Sequence, residues 1–350
     1  SAPVLIAQEH LKKAIGGKSV LMINAGNANA GTGKQGHKDA MDCCKSVASL
    51  LEVPVSSVMP FSTGVIGEPL KTSNYIYAFK NAFQELKANN WLKASKSILT
   101  TDTKPKLLSR EIKCGTKIVK ITGFAKGSGM IRPDFATLLS FVFVEAKINK
   151  SLLKAIHTEA LSESFERITV DGDTSPNDSS VLVASGGAAL KIDEGTQNEK
   201  KVRKAILEIY QQLAKQLIQD AEGATKEVSI KVFLAKNVEQ AKSVAFTVAE
   251  SPLVKTALFG NDANWGRILS AVGRAKGIDD VSKVAIDLNG TPLVKNGNLD
   301  PKHNESKASK AIKKKQLTIN IKLGTGKNSY SVMTSDFSED YLLINSDYRS

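Results

Sequence analysis

The residues whose types and spacing best suit chemistry lie between Lys126 and Ser140, KGSGMIRPDFATLLS, with Ala136-Thr137 at the centre. A glycine-bearing approach, Lys126-Gly127-Ser128-Gly129, precedes that dipeptide, and an apolar run, Leu138 to Val144, follows it. A threonine at the mouth of a buried segment, after a small residue and a loop that can bend, fits a nucleophile. A free hydroxyl is a weak one and needs a base. One solution is to cut the chain just before the threonine, so that its new α-amine takes the proton. The plainer alternative makes Thr137 a β-branched residue opening a core strand.

Other stretches offer groups that such a nucleophile would use. Ser62-Thr63-Gly64 follows an apolar segment and reads as a turn that can aim a backbone N–H and a hydroxyl at one point, as an oxyanion hole requires; an ordinary turn has the same composition. Asp171 to Asp178, DGDTSPND, is rich in carboxylates, but its glycine lacks the place an EF-hand demands, and a network of turn hydrogen bonds is the expectation. Asp220-Ala221-Glu222 puts carboxylates in a small-residue turn. In Asn261 to Arg267, Asp262 or Asn264 is placed to cap a helix. The small-residue loop Ala25 to Gly33 permits close backbone approach, yet it lacks the G-x-G-x-x-G spacing of a dinucleotide site.

Periodicity supplies the elements that must hold these groups. Helices are predicted over 4–15, 35–51, 74–90, 150–166, 199–219 and 238–250, with two more helical patterns flanking residues 261–267. Strands are predicted over 18–24, up to Phe61, over 97–101, 117–124, 138–146, 227–234, 282–288 and 316–323. The last ten residues, 341–350, read as a strand ending in polar groups. Strands and helices alternate, which is an α/β pattern. No internal repeat or low-complexity linker marks a boundary.

At 350 residues and 41% apolar content the chain can bury a substantial core. No apolar run approaches the roughly 20 residues that span a bilayer, and no charged-then-apolar leader suggests secretion. Cys43, Cys44 and Cys114 form no disulfide framework and fit a reducing cytosol. With the four histidines they complete no zinc pattern. The net charge of +13 raises a nucleic-acid surface, but the lysines are scattered and aromatic residues are only 6%. The dense cluster Lys307 to Lys315 reads as a solvated face before an edge strand. The expectation is no nucleic acid, no membrane, no metal, and a positive field that attracts small anionic metabolites.

Taken together, these stretches are similar to the ornithine acetyltransferase family of arginine biosynthesis. The resemblance rests on NAGNANAGTG (24–33), FSTGVIGEPL (61–70), TTDTKPK (100–106), GFAKGSGMIRPDFATLL (123–139), VDGDTSPNDS (170–179), DAEGATK (220–226), SPLVKTALFGNDANWGR (251–267) and INSDYRS (344–350). It runs the length of the chain. It implies a layered α-β-β-α fold that cleaves itself between Ala136 and Thr137, giving an α chain of residues 1–136 and a β chain of residues 137–350, associated as α2β2 in the cytoplasm. It implies acetyl transfer from N-acetylornithine to glutamate through an acetyl-Thr137 ester, with acetyl-CoA as a possible co-substrate and no resident cofactor. The implied oxyanion donors are Thr63 and Gly64. The implied substrate-binding residues are Thr103, Lys126, Thr137, Glu222, Asn345 and Ser350. Lys126 offers a cation to a carboxylate, and Glu222 an anion to an ammonium.

Two departures stand out. Members of the family ordinarily begin several dozen residues upstream of what is Ser1 here. They also carry Asn-Met where this chain has Asp134-Phe135, and the extra charge beside the cut is expected to slow cleavage. An aminopeptidase or amidase of similar architecture is the alternative enzyme, with water resolving the ester; the stretches at 220–226 and 344–350 favour the transferase.

Overall fold

The computed structural model describes residues 1–13, 17–132 and 138–348. The predicted cleavage pair Ala136 and Thr137, and the predicted substrate residue Ser350, lie outside the described residues.

The chain begins with α1 (Ala2–Lys13), β1 (Val20–Asn27), α2 (Gly33–Leu51) and β2 (Val58–Val65). Next come α3 (Thr72–Gln84) and α4 (Trp91–Ser97), then the hairpin of β3 (Lys106–Cys114) and β4 (Lys117–Lys126). β5 (Leu139–Val144), the short β6 (Lys147–Ile148), α5 (Lys150–Ser162), β7 (Ser179–Ala184) and the short β8 (Lys191–Ile192) precede the long α6 (Gln197–Gln219). β9 (Glu227–Ala235) leads to α7 (Val238–Ala249), α8 (Pro252–Phe259) and α9 (Trp265–Gly273). The chain continues through β10 (Ala285–Leu288), β11 (Thr291–Lys295), β12 (Asn298–Leu299) and α10 (Glu305–Ile312), then β13 (Gln316–Lys322), β14 (Asn328–Ser335) and α11 (Glu339–Asp347).

The first half is built in four layers, helix on sheet on sheet on helix. Ile6 of α1 and Cys44 and Val47 of α2 bury against Met22 and Val58 on the outer side of the parallel β1–β2 pair. Met59 and Phe61, on the other side of β2, meet Phe124, Leu139 and Phe141 of the sheet ordered β3-β4-β5-β7. The opposite face of that sheet, with Val119, Ile121 and Val142, packs on Ile206, Ile209 and Leu213 of α6. Period two explains both faces: along β4, odd positions turn to α6, while Phe124 turns to the β1–β2 pair. Gly123 belongs to the α6 side, where a Cβ would come within 2.9 Å of Ile209. Close helix–sheet approach is therefore the reason for glycine there.

The second half centres on a sheet ordered β12-β11-β10-β13-β9-β14. Val228, Ile230 and Val232 alternate on β9 and Leu317, Ile319 and Ile321 on β13, all buried with residues of α7, α9 and α10. Asn149, Thr196, Asn237, Ser251, Asn264, Asn304 and Ser338 each cap a helix with a side-chain oxygen, and Asn264 is thus the cap anticipated for α9.

Three expectations are corrected. Residues 97–101 are the end of α4 and a turn instead of a strand: the Leu99 N–H donates to the Lys96 carbonyl at 3.4 Å and the Thr100 N–H to Asp102 Oδ2 at 3.3 Å, so these backbone donors are spent locally. The C-terminal segment is a helix, started by the Ser338 cap. The strand after the lysine cluster, β13, is interior, flanked by β10 and β9. The cluster itself is solvated as expected: Lys307, Lys310, Lys313, Lys314 and Lys315 are exposed while Ala308, Ala311 and Ile312 are buried. Among the described residues no helix is long and apolar enough to cross a membrane.

Phe141 is fully buried and meets Phe61 edge-on at 5.1 Å between ring centroids. Phe141→Ala is expected to destabilise the fold by about 3–5 kcal/mol, read as a lower denaturation midpoint. An unchanged midpoint would mean that the sheets do not meet there.

Candidate active site

The C-terminal ends of β2 and β4 converge between the two sheets of the first half. Thr63 lies two residues beyond Phe61 and Lys126 two beyond Phe124, so each shares the inward face of its strand. Lys126 Nζ donates to Thr63 Oγ1 at 3.2 Å and to Thr100 Oγ1 at 2.7 Å. The Thr63 oxygen thus accepts from lysine, which leaves its own proton to be donated elsewhere. Gly64 has φ +126, and a Cβ on it would lie 2.3 Å from the Gly26 carbonyl carbon, so no side chain fits. The approach is made by the end of β1, where Gly26 pairs with Gly64 and likewise carries no side chain.

These groups border one cavity of about 100 Å³, whose wall also includes Thr101, Gly127, Gly129, Leu138, Asn177, Asp178, Glu222, Asn345 and Tyr348. Residues from opposite ends of the sequence thereby face the same space. Glu222 is buried; its carboxylate accepts from Asn345 Nδ2 at 2.8 Å, and its N–H donates to the Ser128 carbonyl at 2.9 Å. A Cβ on Gly129 would strike the Glu222 carboxylate at 2.3 Å, so glycine is needed where the approach loop passes it. The predicted turn network is present, the Asp173 N–H donating to Asp171 Oδ1 at 3.2 Å and the Ser175 N–H to Asp178 Oδ2 at 3.1 Å, and Asp171 also accepts from the Met130 N–H at 2.7 Å and the Ile131 N–H at 3.0 Å. It holds the far side of the same loop.

Beneath the cavity lies a charge cluster. Lys106 is 1% exposed and its Nζ sits 2.5 Å from both Asp102 Oδ1 and Asp220 Oδ2. Asp102 also accepts from the Gly127 N–H at 2.7 Å and lies 3.7 Å from Lys126 Nζ. Burial works to raise the Asp102 carboxyl, but Lys126, Lys106 and the Gly127 N–H outweigh it and hold the carboxyl below its ordinary value. Burial also lowers Lys126, with Asp102 partly opposing. Asp178, half-buried in the cavity wall, is pushed up to about 8 by burial.

Of the predicted site residues, Thr63, Gly64, Lys126, Glu222 and Asn345 meet at this cavity. Thr103 is not part of the wall; its hydroxyl donates to Asp220 Oδ1 and its N–H to Asp220 Oδ2 at 3.1 Å. Lys106, Asn177 and Asp178 were not singled out from sequence. The signal for Lys106 is the TTDTKPK stretch, where an aspartate and a lysine four apart suit an ion pair. Among the described residues no group of three or more His, Cys, Asp or Glu could hold a metal ion.

A family model described as the ArgJ family matches residues 1–350. The arginine biosynthesis bifunctional protein ArgJ of Methylococcus capsulatus is 44% identical over 352 aligned residues, covering 100% of this chain and 86% of that one. Its counterpart in Psychrobacter arcticus is 43% identical over 354, with the same coverage of 100% and 86%. The crystal structure of the protein of that name from Bacillus halodurans shares the fold with a TM-score of 0.56 at 33% identity, over 59% of this chain and 98% of that one.

A carboxyl whose folded pKa lies above its unfolded value, about 4, keeps its proton longer in the folded state. The fold then loses stability as the pH rises from there to about 8. Asp178→Asn is expected to flatten that decline, so that its advantage in melting temperature over the parent grows between pH 4 and pH 8. A difference independent of pH would rule out burial as the cause of the shift.

Proposed function

Because the chain belongs to the ArgJ family, we propose that it is a glutamate N-acetyltransferase of arginine biosynthesis, moving an acetyl group from N-acetylornithine to glutamate. The observation that carries the reading is the meeting of Thr63, Gly64, Lys126, Glu222 and Asn345, with Leu138 beside them, around one cavity of about 100 Å³. The relatives are named as bifunctional proteins of arginine biosynthesis, which favours transfer over the hydrolysis of an aminopeptidase or amidase. Acetyl-CoA as a second acetyl donor is part of the proposal, as are the α2β2 assembly and a cytoplasmic location.

In the proposed chemistry, Thr137 Oγ first attacks the Ala136 carbonyl carbon. The C–N bond breaks, an ester forms, and the nitrogen takes the proton. Water hydrolyses that ester, leaving Ala136 as a carboxylate and Thr137 with a free hydroxyl and α-amine. An α-amine has an ordinary pKa of about 8 and serves as base near neutrality. The hydroxyl then attacks the acetyl carbonyl and the amine takes its proton. Thr63 and Gly64 donate to the oxyanion. Thr63 suits this because Lys126 occupies its acceptor side at 3.2 Å. Collapse breaks the C–N bond and the proton passes to the departing ornithine nitrogen; the glutamate amine then attacks the acetyl ester, the bond from the acetyl carbon to Thr137 Oγ breaks, and the proton lost by the attacking nitrogen passes through the α-amine back to that Oγ. Lys126 brings a positive charge for the α-carboxylate shared by both substrates. Glu222, held by Asn345, meets the ornithine ammonium. Ser350 belongs to the same proposed substrate set. Thr103 acts at one remove, by fixing Asp220.

Denaturing mass spectrometry is expected to give two fragments meeting at Thr137, and Thr137→Ala to give one intact chain without acetyl transfer. Full transfer by that variant would end the proposal. Glu222→Gln is expected to raise KM for N-acetylornithine about tenfold more than KM for glutamate, the order of one lost charge-assisted contact. Equal increases would remove Glu222 from ammonium recognition.

A further inference from the structure

Asn177 borders the cavity without any of the roles assigned above. It is 5% exposed, and its Nδ2 donates to two backbone carbonyls, Ala28 at 2.5 Å and Ser62 at 2.9 Å. Both partners are acceptors only, so the amide nitrogen must face them and the orientation of the group is fixed. Its Oδ1 therefore faces the other way. That oxygen is buried and has no hydrogen-bond partner among the described residues. The backbone around it is pinned: the Asn177 N–H donates to Ser175 Oγ at 3.2 Å, and the Asn177 carbonyl accepts from Ser179 Oγ at 3.2 Å. The side chain has no freedom to carry Oδ1 out to solvent. Buried acceptors in folded proteins are rarely left unmet, and one that borders a cavity is open to a donor that enters it, a water or a ligand N–H.

We propose that Asn177 Oδ1 accepts the hydrogen bond of the nitrogen that carries the acetyl group, the amide N–H of the donor in the first half-reaction and the amine N–H of the acceptor in the second. The inference rests on the acetyl-transfer reading and adds a substrate-positioning residue to it. Ser62, whose carbonyl Asn177 holds, directly precedes the oxyanion donors Thr63 and Gly64. Donors for the carbonyl oxygen and an acceptor for the nitrogen thus stand on one short piece of framework. They address the two ends of a secondary amide. Esters and thioesters have no N–H and gain nothing from Asn177, so the residue is a device for selecting amide donors.

The test compares kcat/KM of the full-length protein for N-acetylornithine and for p-nitrophenyl acetate, an ester that acetylates the same hydroxyl. Asn177→Ala is expected to lower the amide value about 10- to 100-fold, the effect of leaving one polar partner unmet, and the ester value by less than about threefold on the same grounds. Equal losses on both donors would make Asn177 a structural staple only and overturn the inference. Asn177→Asp keeps an acceptor while giving up both donors to Ala28 and Ser62. Because Asn177→Ala gives up the same two donors, Asn177→Asp is expected to lower both values alike by less than about threefold, and a loss confined to the amide would again overturn the inference. A wild-type protein that moves acetyl from the ester and none from N-acetylornithine would overturn the acetyl-transfer reading and this inference together.

Discussion

The site depends on a buried balance of charge. Lys106 is almost wholly removed from water, and so are Asp102 and Asp220, its partners at 2.5 Å. A lone charge in such a place would be prohibitively costly, and a pair is tolerated only when its remaining hydrogen-bonding capacity is met. Here it is met by the framework. Asp102 takes the Gly127 N–H, and Asp220 takes the N–H and hydroxyl of Thr103. The cluster thereby fixes the turn before β3, the loop after β4 and the C-terminal end of α6 relative to one another. Glu222 follows Asp220 by two residues, and Lys126 precedes Gly127 by one. Both inherit their positions from a cluster whose three charged residues are not part of the cavity wall.

The second constraint is the alternation of strands that face each other. A strand sends every second side chain to the same side. Phe61 and Thr63 on β2, and Phe124 and Lys126 on β4, share the space between the sheets. The aromatic residues fill its middle, with Phe124 and Phe141 at 5.4 Å between centroids, and the polar ones stand at its end. Core and site are continuous. A slip of one residue in either strand would exchange Thr63 for Ser62 or Gly64 and turn Lys126 away.

Much of this was legible in the residues. Helix 199–219 announces itself through Val202, Ile206, Ile209, Leu213 and Leu217, and it lies at Gln197–Gln219 with those residues buried. The motifs around Thr63, Lys126 and Glu222 marked residues that do share a cavity. What escaped was whatever depends on partners distant in sequence. Ser97 to Thr101 has the composition of a strand, yet Ser97 closes α4 and the Leu99 and Thr100 N–H groups are spent on the nearby Lys96 carbonyl and Asp102 carboxylate. The last segment is apolar enough for a strand, but the Ser338 hydroxyl starts a helix, and that same hydroxyl donates to the Gly223 carbonyl at 2.6 Å. The local spacing suits a pair between Lys106 and Asp102, but no local pattern reveals the second partner, Asp220, or that Thr103 spends its hydroxyl on it.

β4 and β5 are antiparallel neighbours, in register from Ile121 opposite Val144 to Lys126 opposite Leu139. Among the described residues the ladder closes at that last pair, and Gly127 and Ile131 of the connection are bonded elsewhere, to Asp102 and Asp171. A cut at the proposed site between Ala136 and Thr137 leaves every paired residue of that ladder in its strand, and the Gly127 N–H that Asp102 accepts stays on the same fragment as Asp102. The sheet is sewn by hydrogen bonds and side-chain interdigitation across the seam, and an intact link there adds the raised local concentration of one edge near the other. The same catalyst could be encoded as two separate messages, its halves meeting as complementary fragments. Neither half alone would possess the cavity, since Thr63 and Lys126 come from one side of the seam and Glu222 and Asn345 from the other.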